Sequence, residues 1–127
     1  MLGKKLFAIR GAVCCENTEN SILENVLKMC NELFELNKIK SRNLVSIQFT
    51  MTSDLNAINA ATALRRGKTA VDTSAVALFV SQEAQIQNML PKTIRVMILA
   101  YLPKNTKIRN VYLNGAQKLR PDMKFEQ

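Results

Sequence analysis

The sequence predicts an α/β (α+β) fold, a single-domain mixed β-sheet with two helices, and three observations support this prediction. The chain has 127 residues, the size of one domain, and 47% of them are apolar, enough for one core. Short apolar runs typical of strands alternate with two segments of helical spacing as far as Arg66. No repeat, Gly/Ser linker or low-complexity segment divides the chain, so we treat residues 1–127 as one domain.

The first predicted strand runs over residues 6–14 and is apolar on both faces. Phe7, Ile9 and Val13 alternate with a second apolar set, Leu6, Ala8 and Ala12. A strand with two apolar faces is predicted to be central in its sheet or covered on both sides.

A long helix is predicted next, ending near Leu36. Asn17 or Thr18 can cap its start, and Ser21 and Glu24 have the spacing of a capping box. The apolar stripe is wide, which indicates a helix lying flat on a sheet.

The remaining helix and strands are predicted from short apolar runs and capping residues. The second strand is predicted over residues 44–51, and a short Ala-rich helix should start at Ser53 or Asp54 and end near Arg66, with Gly67 as its C-terminal cap. Three further strands are predicted over residues 75–81, 93–102 and 108–113. The polar tail, residues 121–127, is expected to be mobile.

The charge balance predicts an anionic partner. Eighteen Lys and Arg against ten Asp and Glu give +8, and there is no His, which excludes His-based catalysis and His-metal sites. Residues 1–64 carry only +1, whereas residues 65–127 carry +7. A basic half of this kind attracts a nucleic acid, a membrane surface or a small anion.

The compartment signals favour the cytoplasm. The apolar run after Lys4 and Lys5 is interrupted by Arg10 and is too short for a signal peptide, and no stretch is long enough to span a membrane. Cys14, Cys15 and Cys30 form no disulfide framework, and we expect them to be reduced and buried.

Two arginines stand in apolar strand segments. Arg10 and Arg95 are each flanked by apolar residues on both strand faces, so both are predicted to be buried and to need an anion. Glu83 is the best local partner. The three residues could instead form a structural ion network, or one arginine could face solvent at a sheet edge. Two arginines and one glutamate leave a positive surplus, which suits a carboxylate ligand.

Five segments, in this order and spacing, resemble the monofunctional, trimeric class of chorismate mutases. They are AIRGAV at 8–13, SQE at 81–83, IRVMILAYLP at 94–103, IRNVYLNGA at 108–116 and KLRPDM at 118–123. DLNAINAATALR at 54–65 extends the likeness along nearly the whole chain.

This resemblance implies a fold, an assembly and a reaction. The fold would be a trimeric pseudo-α/β-barrel, with active sites between subunits of the homotrimer. The reaction would be the intramolecular Claisen rearrangement of the chorismate dianion to prephenate, in aromatic amino-acid biosynthesis. It needs no cofactor, metal, nucleophile or proton transfer, which suits a chain without His.

The resemblance also implies roles for individual residues. Arg95 would act on the ether oxygen and a nearby carboxylate, and Glu83 would bind the ring hydroxyl. Arg10 and Tyr112 would hold the side-chain carboxylate, although from the residues alone Tyr112 is more typical of a core or edge position. The other positions expected at the cleft are Arg65, from a neighbouring subunit, and Leu119 and Arg120, from a closing C-terminal segment.

Three expected cleft positions depart from the family pattern. Asn59 replaces an aromatic residue, Thr62 replaces a common Lys, and Val80 replaces a frequent Cys. Asn59 and Thr62 would change the wall from the neighbouring subunit and its charge, and Val80 would remove a weak polar contact to the ring hydroxyl. These departures leave an alternative open, a non-catalytic homologue that binds a small carboxylate. A basic nucleic-acid-binding module is the less favoured rival, because aromatics are only 6% and the bases are scattered.

Overall fold

A computed structural model describes residues 3–122 of the chain, and it has the predicted mixed sheet and two helices. In chain order the elements are strand β1 (Lys4–Cys14), helix α1 (Glu19–Leu36), strand β2 (Leu44–Met51), helix α2 (Ala60–Arg66), and strands β3 (Ala77–Gln82), β4 (Thr93–Pro103) and β5 (Val111–Leu113). Short 3-10 turns at Ser41–Asn43 and Ala116–Leu119 precede β2 and follow β5. Most of the predicted polar tail, residues 123–127, lies outside the described residues.

The five strands form one sheet in the order β3-β2-β4-β1-β5. Strand β4 is antiparallel to both of its neighbours, whereas β2 with β3 and β1 with β5 are parallel pairs. Parallel neighbours need a long crossover connection, and α2 lies in the one that joins β2 to β3. The two longest strands are β4, which is the central strand of the sheet, and β1, which lies next to it.

The main core lies on one face of the sheet, and a small second cluster around Ala12, Tyr112 and Ala116 lies on the other. Both helices pack on the face of the main core against the inward side chains of the strands, among them Ile9, Phe49 and Ile98. The other face is open in the single chain, and it carries Leu6 at 46% and Phe79 at 68% exposure. Strand β1 is an interior strand of the sheet, which meets one of the two predicted alternatives. The other alternative, cover on both faces, is not met in the isolated chain, because both helices cross on the same side of the sheet.

The start of α1 follows the sequence signal at Thr18. The Thr18 hydroxyl accepts a hydrogen bond from the backbone N–H of Ser21, at 3.1 Å. The Ser21–Glu24 spacing does not act as a capping box, because the Ser21 hydroxyl instead accepts a hydrogen bond from Glu16 N at 2.9 Å. That contact fixes the turn between β1 and α1.

Helix α2 begins later than predicted, at Ala60 instead of Ser53 or Asp54. The Asp54 carboxylate cannot cap a helix because it accepts hydrogen bonds from the backbone N–H of Lys92, at 3.0 and 3.2 Å. Asn59 is the cap, since its side-chain oxygen accepts from the N–H groups of Ala61 and Thr62.

Gly67 ends α2 as predicted, but for a different reason. Its φ of −87° is accessible to any residue, so no left-handed turn requires glycine here. A Cβ at this position would lie 2.2 Å from Cδ1 of Leu27. The glycine therefore lets the end of α2 approach α1 closely.

Strands β3 and β5 start two or three residues later than predicted. Before β3, Val76 N donates to Thr73 O and closes a turn. Before β5, the Asn37 side chain binds both the N–H and the carbonyl of Arg109, each at 2.9 Å. Because these backbone groups pair with Asn37, they are not available to extend the ladder with β1.

Candidate active site

The strand register brings site residues into one row on the open face of the sheet. Thr50 of β2 lies opposite Arg95 of β4, which lies opposite Ala12 of β1, which in turn lies opposite Tyr112 of β5. Arg10 is two positions from Ala12 on the same side of its strand. Four strands therefore bring cationic and hydroxyl side chains that are far apart in the sequence to one place.

A cavity of about 300 Å³ lies over this row. It collects five of the ten predicted site residues, which are Arg10, Arg95, Tyr112, Leu119 and Arg120. The β1 residue Ala12 supplies part of its floor, and Leu119 is carried by the 3-10 turn that follows β5. Three arginines around one cavity of this size make it suited to a small anion.

Glu83 does not line the cavity itself, but one of its oxygens accepts hydrogen bonds from two residues that do, Arg95 and Thr50. Its Oε2 accepts a hydrogen bond from Arg95 Nε at 3.0 Å and from the Thr50 hydroxyl at 2.6 Å. The Glu83 N–H donates to Met51 O at 2.8 Å, which holds its backbone beside β2 just beyond the end of β3. The predicted pairing of Glu83 with one of the two arginines is confirmed.

The prediction that both arginines are buried is wrong for the single chain. The Arg95 side chain is 46% exposed, against 13% for Glu83, and Arg10 is exposed. Both arginines stand on the face that no helix covers, so their apolar strand neighbours do not bury them. Both arginines line the cavity, and a ligand can reach their charged groups from solvent.

Tyr112 and Arg120 form a second polar group on the opposite side of the cavity. Tyr112 is buried, and its hydroxyl is a hydrogen-bond partner of Arg120. Arg120 also donates to both carboxylate oxygens of Asp122, at 2.9 and 3.2 Å. These two bonds hold the pKa of the Asp122 carboxyl below its ordinary value, and the nearby charge of Arg10 lowers it further.

The other predicted site residues lie elsewhere in the single chain. Asn59 and Val80 line a separate cavity of about 250 Å³ between the loop before α2 and strand β3, and Thr62 follows on the first turn of α2. Arg65 donates from its guanidinium to the carbonyls of Thr73 and Val76, the latter at 2.7 Å. Arg65 was predicted to contribute to the cleft of a neighbouring subunit, and this stays a prediction; within one chain its guanidinium binds the loop before β3.

Two polar residues that line the cavity, Gln48 and Thr50, were not predicted from the sequence, and neither was the contact of Asp122 with Arg120. Gln48 and Thr50 line the cavity, and they alternate with Ile47 and Phe49 along β2. That alternation was a usable signal, since it marks one face of β2 as polar. No comparable signal indicated Asp122, whose position depends on how the chain returns after β5.

Part of the positive surplus lies away from this cavity. A second group of five cations lines a pocket at the opposite end of β1, formed by Lys4, Lys38, Lys40, Arg42 and Lys107. No carboxylate lines this pocket among residues 3–122. The two cationic regions are therefore separate, and only one includes a buried tyrosine and a paired glutamate.

Comparison with known proteins identifies the family. The model of the family "Chorismate mutase type I" matches residues 6–123. The chain is 32% identical to Chorismate mutase AroH of Thermus thermophilus over 94% of this chain and 97% of that protein. It is 33% identical to Chorismate mutase AroH of Bacillus subtilis over 91% of this chain and 90% of that protein. A chorismate mutase structure from Clostridium thermocellum matches with a TM-score of 0.76 and 33% identity, over 88% of this chain and 98% of that one. The chain belongs to the type I chorismate mutase family.

Proposed function

We propose that this protein catalyses the intramolecular rearrangement of chorismate to prephenate, and that Arg95 and Glu83 carry the reaction. One C–O ether bond breaks while one C–C bond forms within the same molecule, so no group enters or leaves. The observation that supports this best is that Arg95, which lines the cavity together with Arg10, Tyr112 and Arg120, forms an ion pair with Glu83. This arrangement offers three cations that can bind the two carboxylates of the substrate and one carboxylate that can bind its hydroxyl group.

Arg95 is proposed to stabilise charge on the ether oxygen. Its contact with Glu83 uses Nε, so its two terminal amino groups are left for the ligand. Negative charge builds on the ether oxygen as the C–O bond breaks, and a guanidinium held beside it stabilises the transition state more than the ground state.

Arg10, Tyr112 and Arg120 are proposed to bind the side-chain carboxylate. They line the same cavity as Arg95, with Tyr112 buried and in contact with Arg120. Holding one carboxylate there and the ring hydroxyl at Glu83 favours the compact substrate conformer. Restricting the substrate in this way removes much of the entropic barrier of an intramolecular reaction.

A trimer with sites between subunits is part of the proposal. The open face of the sheet exposes Leu6 and Phe79, which a partner subunit would cover. Asn59 and Val80 line a different surface from Arg95, so they could complete a cleft only if supplied by a neighbouring copy. Light scattering at micromolar concentration should give three times the mass of one chain, and a monomer would contradict this assembly.

We propose a cytoplasmic location because the cysteines are free thiols. Cys14, Cys15 and Cys30 are all free thiols in the structure, as is usual for proteins in a reducing compartment. Within the described residues, no helix is long and apolar enough to cross a membrane.

The decisive experiment is a direct assay. Purified protein is incubated with chorismate, and loss of the diene absorbance is followed with prephenate identified as product. Loss no faster than the uncatalysed background would contradict the proposal and leave the non-catalytic homologue, which would still bind a dicarboxylate in calorimetry.

Nucleic-acid binding is the remaining alternative, and the five-cation pocket is the observation that favours it. Filter binding with single-stranded RNA across a salt series tests it, since phosphate contacts weaken steeply as salt rises. We expect no binding at physiological salt.

A further inference from the structure

Thr50 occupies the strand between the two members of the Arg95–Glu83 pair. The sheet order is β3-β2-β4, so the ion pair spans β2, and Thr50 lies opposite Arg95 on one side and opposite Ser81 of β3 on the other. Thr50 lines the cavity together with Arg95. The contact between Arg95 and Glu83 therefore crosses β2 at the Thr50 side chain.

The Thr50 hydroxyl makes the shorter of the two contacts to Glu83. Its 2.6 Å distance to Oε2 is in the range of charge-assisted O–H···O⁻ bonds, whereas Arg95 Nε lies at 3.0 Å from the same atom. The Arg95 side chain is nearly half exposed, and ion pairs of exposed side chains hold geometry weakly. The hydroxyl comes from a β-branched residue on a central strand, whose side chain has few rotamers to lose.

We propose that Thr50 is a positioning residue for the reaction. Its hydroxyl keeps Oε2 of Glu83 on Arg95, so that the other oxygen, Oε1, is the one presented to the hydroxyl of the substrate. Thr50 also occupies an acceptor site on Glu83 without adding a charge, which leaves the Arg95 guanidinium able to turn its terminal amino groups to the ligand. This inference rests on the proposed function, because the substrate hydroxyl is the group that Oε1 would meet.

A pair of substitutions tests this role. Thr50→Val keeps the shape of the side chain and removes the hydroxyl, whereas Thr50→Ser keeps the hydroxyl. We expect Thr50→Val to lower kcat/KM for chorismate by roughly ten- to hundredfold, mostly through kcat, since a hydrogen bond to a charged group has about that effect. Thr50→Ser should stay within about threefold of the wild type, because the conservative variant restores the bond.

Three controls separate positioning from a general effect on the fold. Thr106→Val makes the same chemical change in the loop after β4, outside the cavity, and should leave kcat and KM unchanged. The melting temperatures of Thr50→Val and Thr50→Ser should agree within a few degrees. In a Glu83→Ala background, Thr50→Val should lose its effect on kcat, because the group that it positions is gone.

The outcomes distinguish the two proposals. A Thr50→Val enzyme with wild-type kcat, or a Thr50→Ser enzyme as slow as Thr50→Val, would overturn the role of Thr50 while leaving the proposed function intact. If the wild type itself does not convert chorismate, the proposed function fails. The orientation of the Glu83 carboxylate in crystal structures of the wild type and Thr50→Val then decides whether Thr50 positions it. An unchanged carboxylate would overturn the inference.

Discussion

Arg95 Nε lies 3.0 Å from Glu83 Oε2, and this ion pair connects the interior of β4 to the residue that follows β3. Glu83 is largely enclosed, at 13% exposure, while almost half of the Arg95 side chain faces outward. The pair is thus anchored through the carboxylate and open on the guanidinium side. That asymmetry is suitable for a cation that must contact a ligand while its own orientation is held by the protein.

Replacing Arg95 by Ala should remove most of the activity. Loss of a preorganised charged donor at a developing negative charge costs about two to three decades in rate. We expect kcat/KM for chorismate to fall by at least roughly a hundredfold, measured by loss of diene absorbance. Arg66→Ala is the matched control, because Arg66 forms an exposed ion pair with Glu19, away from the cavity. Equal rates for the Arg95 variant and the wild type would show that the chemistry lies elsewhere.

The sequence predicted five of the residues that line the cavity and the pairing of Glu83 with an arginine, but not the exposure of the two arginines. Arg10 and Arg95 were recognisable because each interrupts an apolar strand, and Glu83 because it is a rare acid near them. Exposure depends on which face of the sheet the helices cover, and both helices cross the face that carries Ile9 and Ile98. Apolar alternation identifies two faces without saying which one remains open in a single chain.

The boundaries that were wrong depend on contacts between distant parts of the chain. Helix α2 starts at Ala60 because Asp54 is bound by the backbone of Lys92, and β5 starts at Val111 because Asn37 binds the backbone of Arg109. Local propensity contains no information on a side chain that binds a backbone group so far away. The strand cores, by contrast, were predictable from apolar alternation alone.

Gly11 should tolerate a side chain less well than Gly67. A Cβ at Gly11 would lie 2.9 Å from the carbonyl oxygen of Val111 and 3.0 Å from Leu33 Cδ1, and the carbonyl belongs to the β1–β5 ladder. The three atoms nearest to a Cβ at Gly67 all belong to the Leu27 side chain, which can rotate. We expect Gly11→Ala to cost about 1–3 kcal/mol in the free energy of unfolding, the usual range for overpacking, and Gly67→Ala to cost less.

Urea unfolding at one fixed protein concentration measures whether Gly11→Ala lowers the free energy of unfolding more than Gly67→Ala does. Gly11→Ala should also lower activity, because pushing β5 away displaces Tyr112 from the cavity. A Gly11→Ala protein that unfolds at the wild-type urea concentration would contradict the close packing of β1 and β5.

The thiols of Cys15 and Cys30 should be unreactive in the folded protein. Burial raises the pKa of Cys30 to about 12 and, with the nearby thiol of Cys14 and the carboxylates of Glu16 and Asp54, raises the pKa of Cys15 to about 11. At neutral pH almost no thiolate is present at either residue.

Labelling with a thiol reagent at pH 7 should therefore leave Cys15 and Cys30 unmodified until the protein is unfolded in denaturant. Cys14, which is only partly buried, accounts for any labelling of the native protein, so Cys14→Ser should abolish it. Native labelling of Cys30, located by mass spectrometry, would show that the core beneath α1 opens more readily than its packing suggests.

The contact of Asp122 with Arg120 should be lost in acid. The pKa of the Asp122 carboxyl is lowered mainly by its two hydrogen bonds from Arg120. A group with a depressed pKa in the folded state stabilises the fold above the unfolded value of about 3.9, and the contribution disappears as the pH falls through the folded pKa. The C-terminal segment beside the cavity is therefore expected to be held at neutral pH and released in acid, below the ordinary pKa of an aspartate carboxyl.

Carbon-13 NMR titration of the carboxyl groups tests this expectation in Arg120→Gln. Glutamine offers no charge, so the Asp122 titration should move to higher pH. Asp72 is a matched control, because its pKa is lowered chiefly by a hydrogen bond from the backbone of Ser74, which the substitution leaves in place. If Asp122 titrated at the same pH in both proteins while Asp72 also stayed constant, the Arg120 contact would not hold the segment. The substrate carboxylate would then meet an Arg120 that had no internal competitor for its guanidinium.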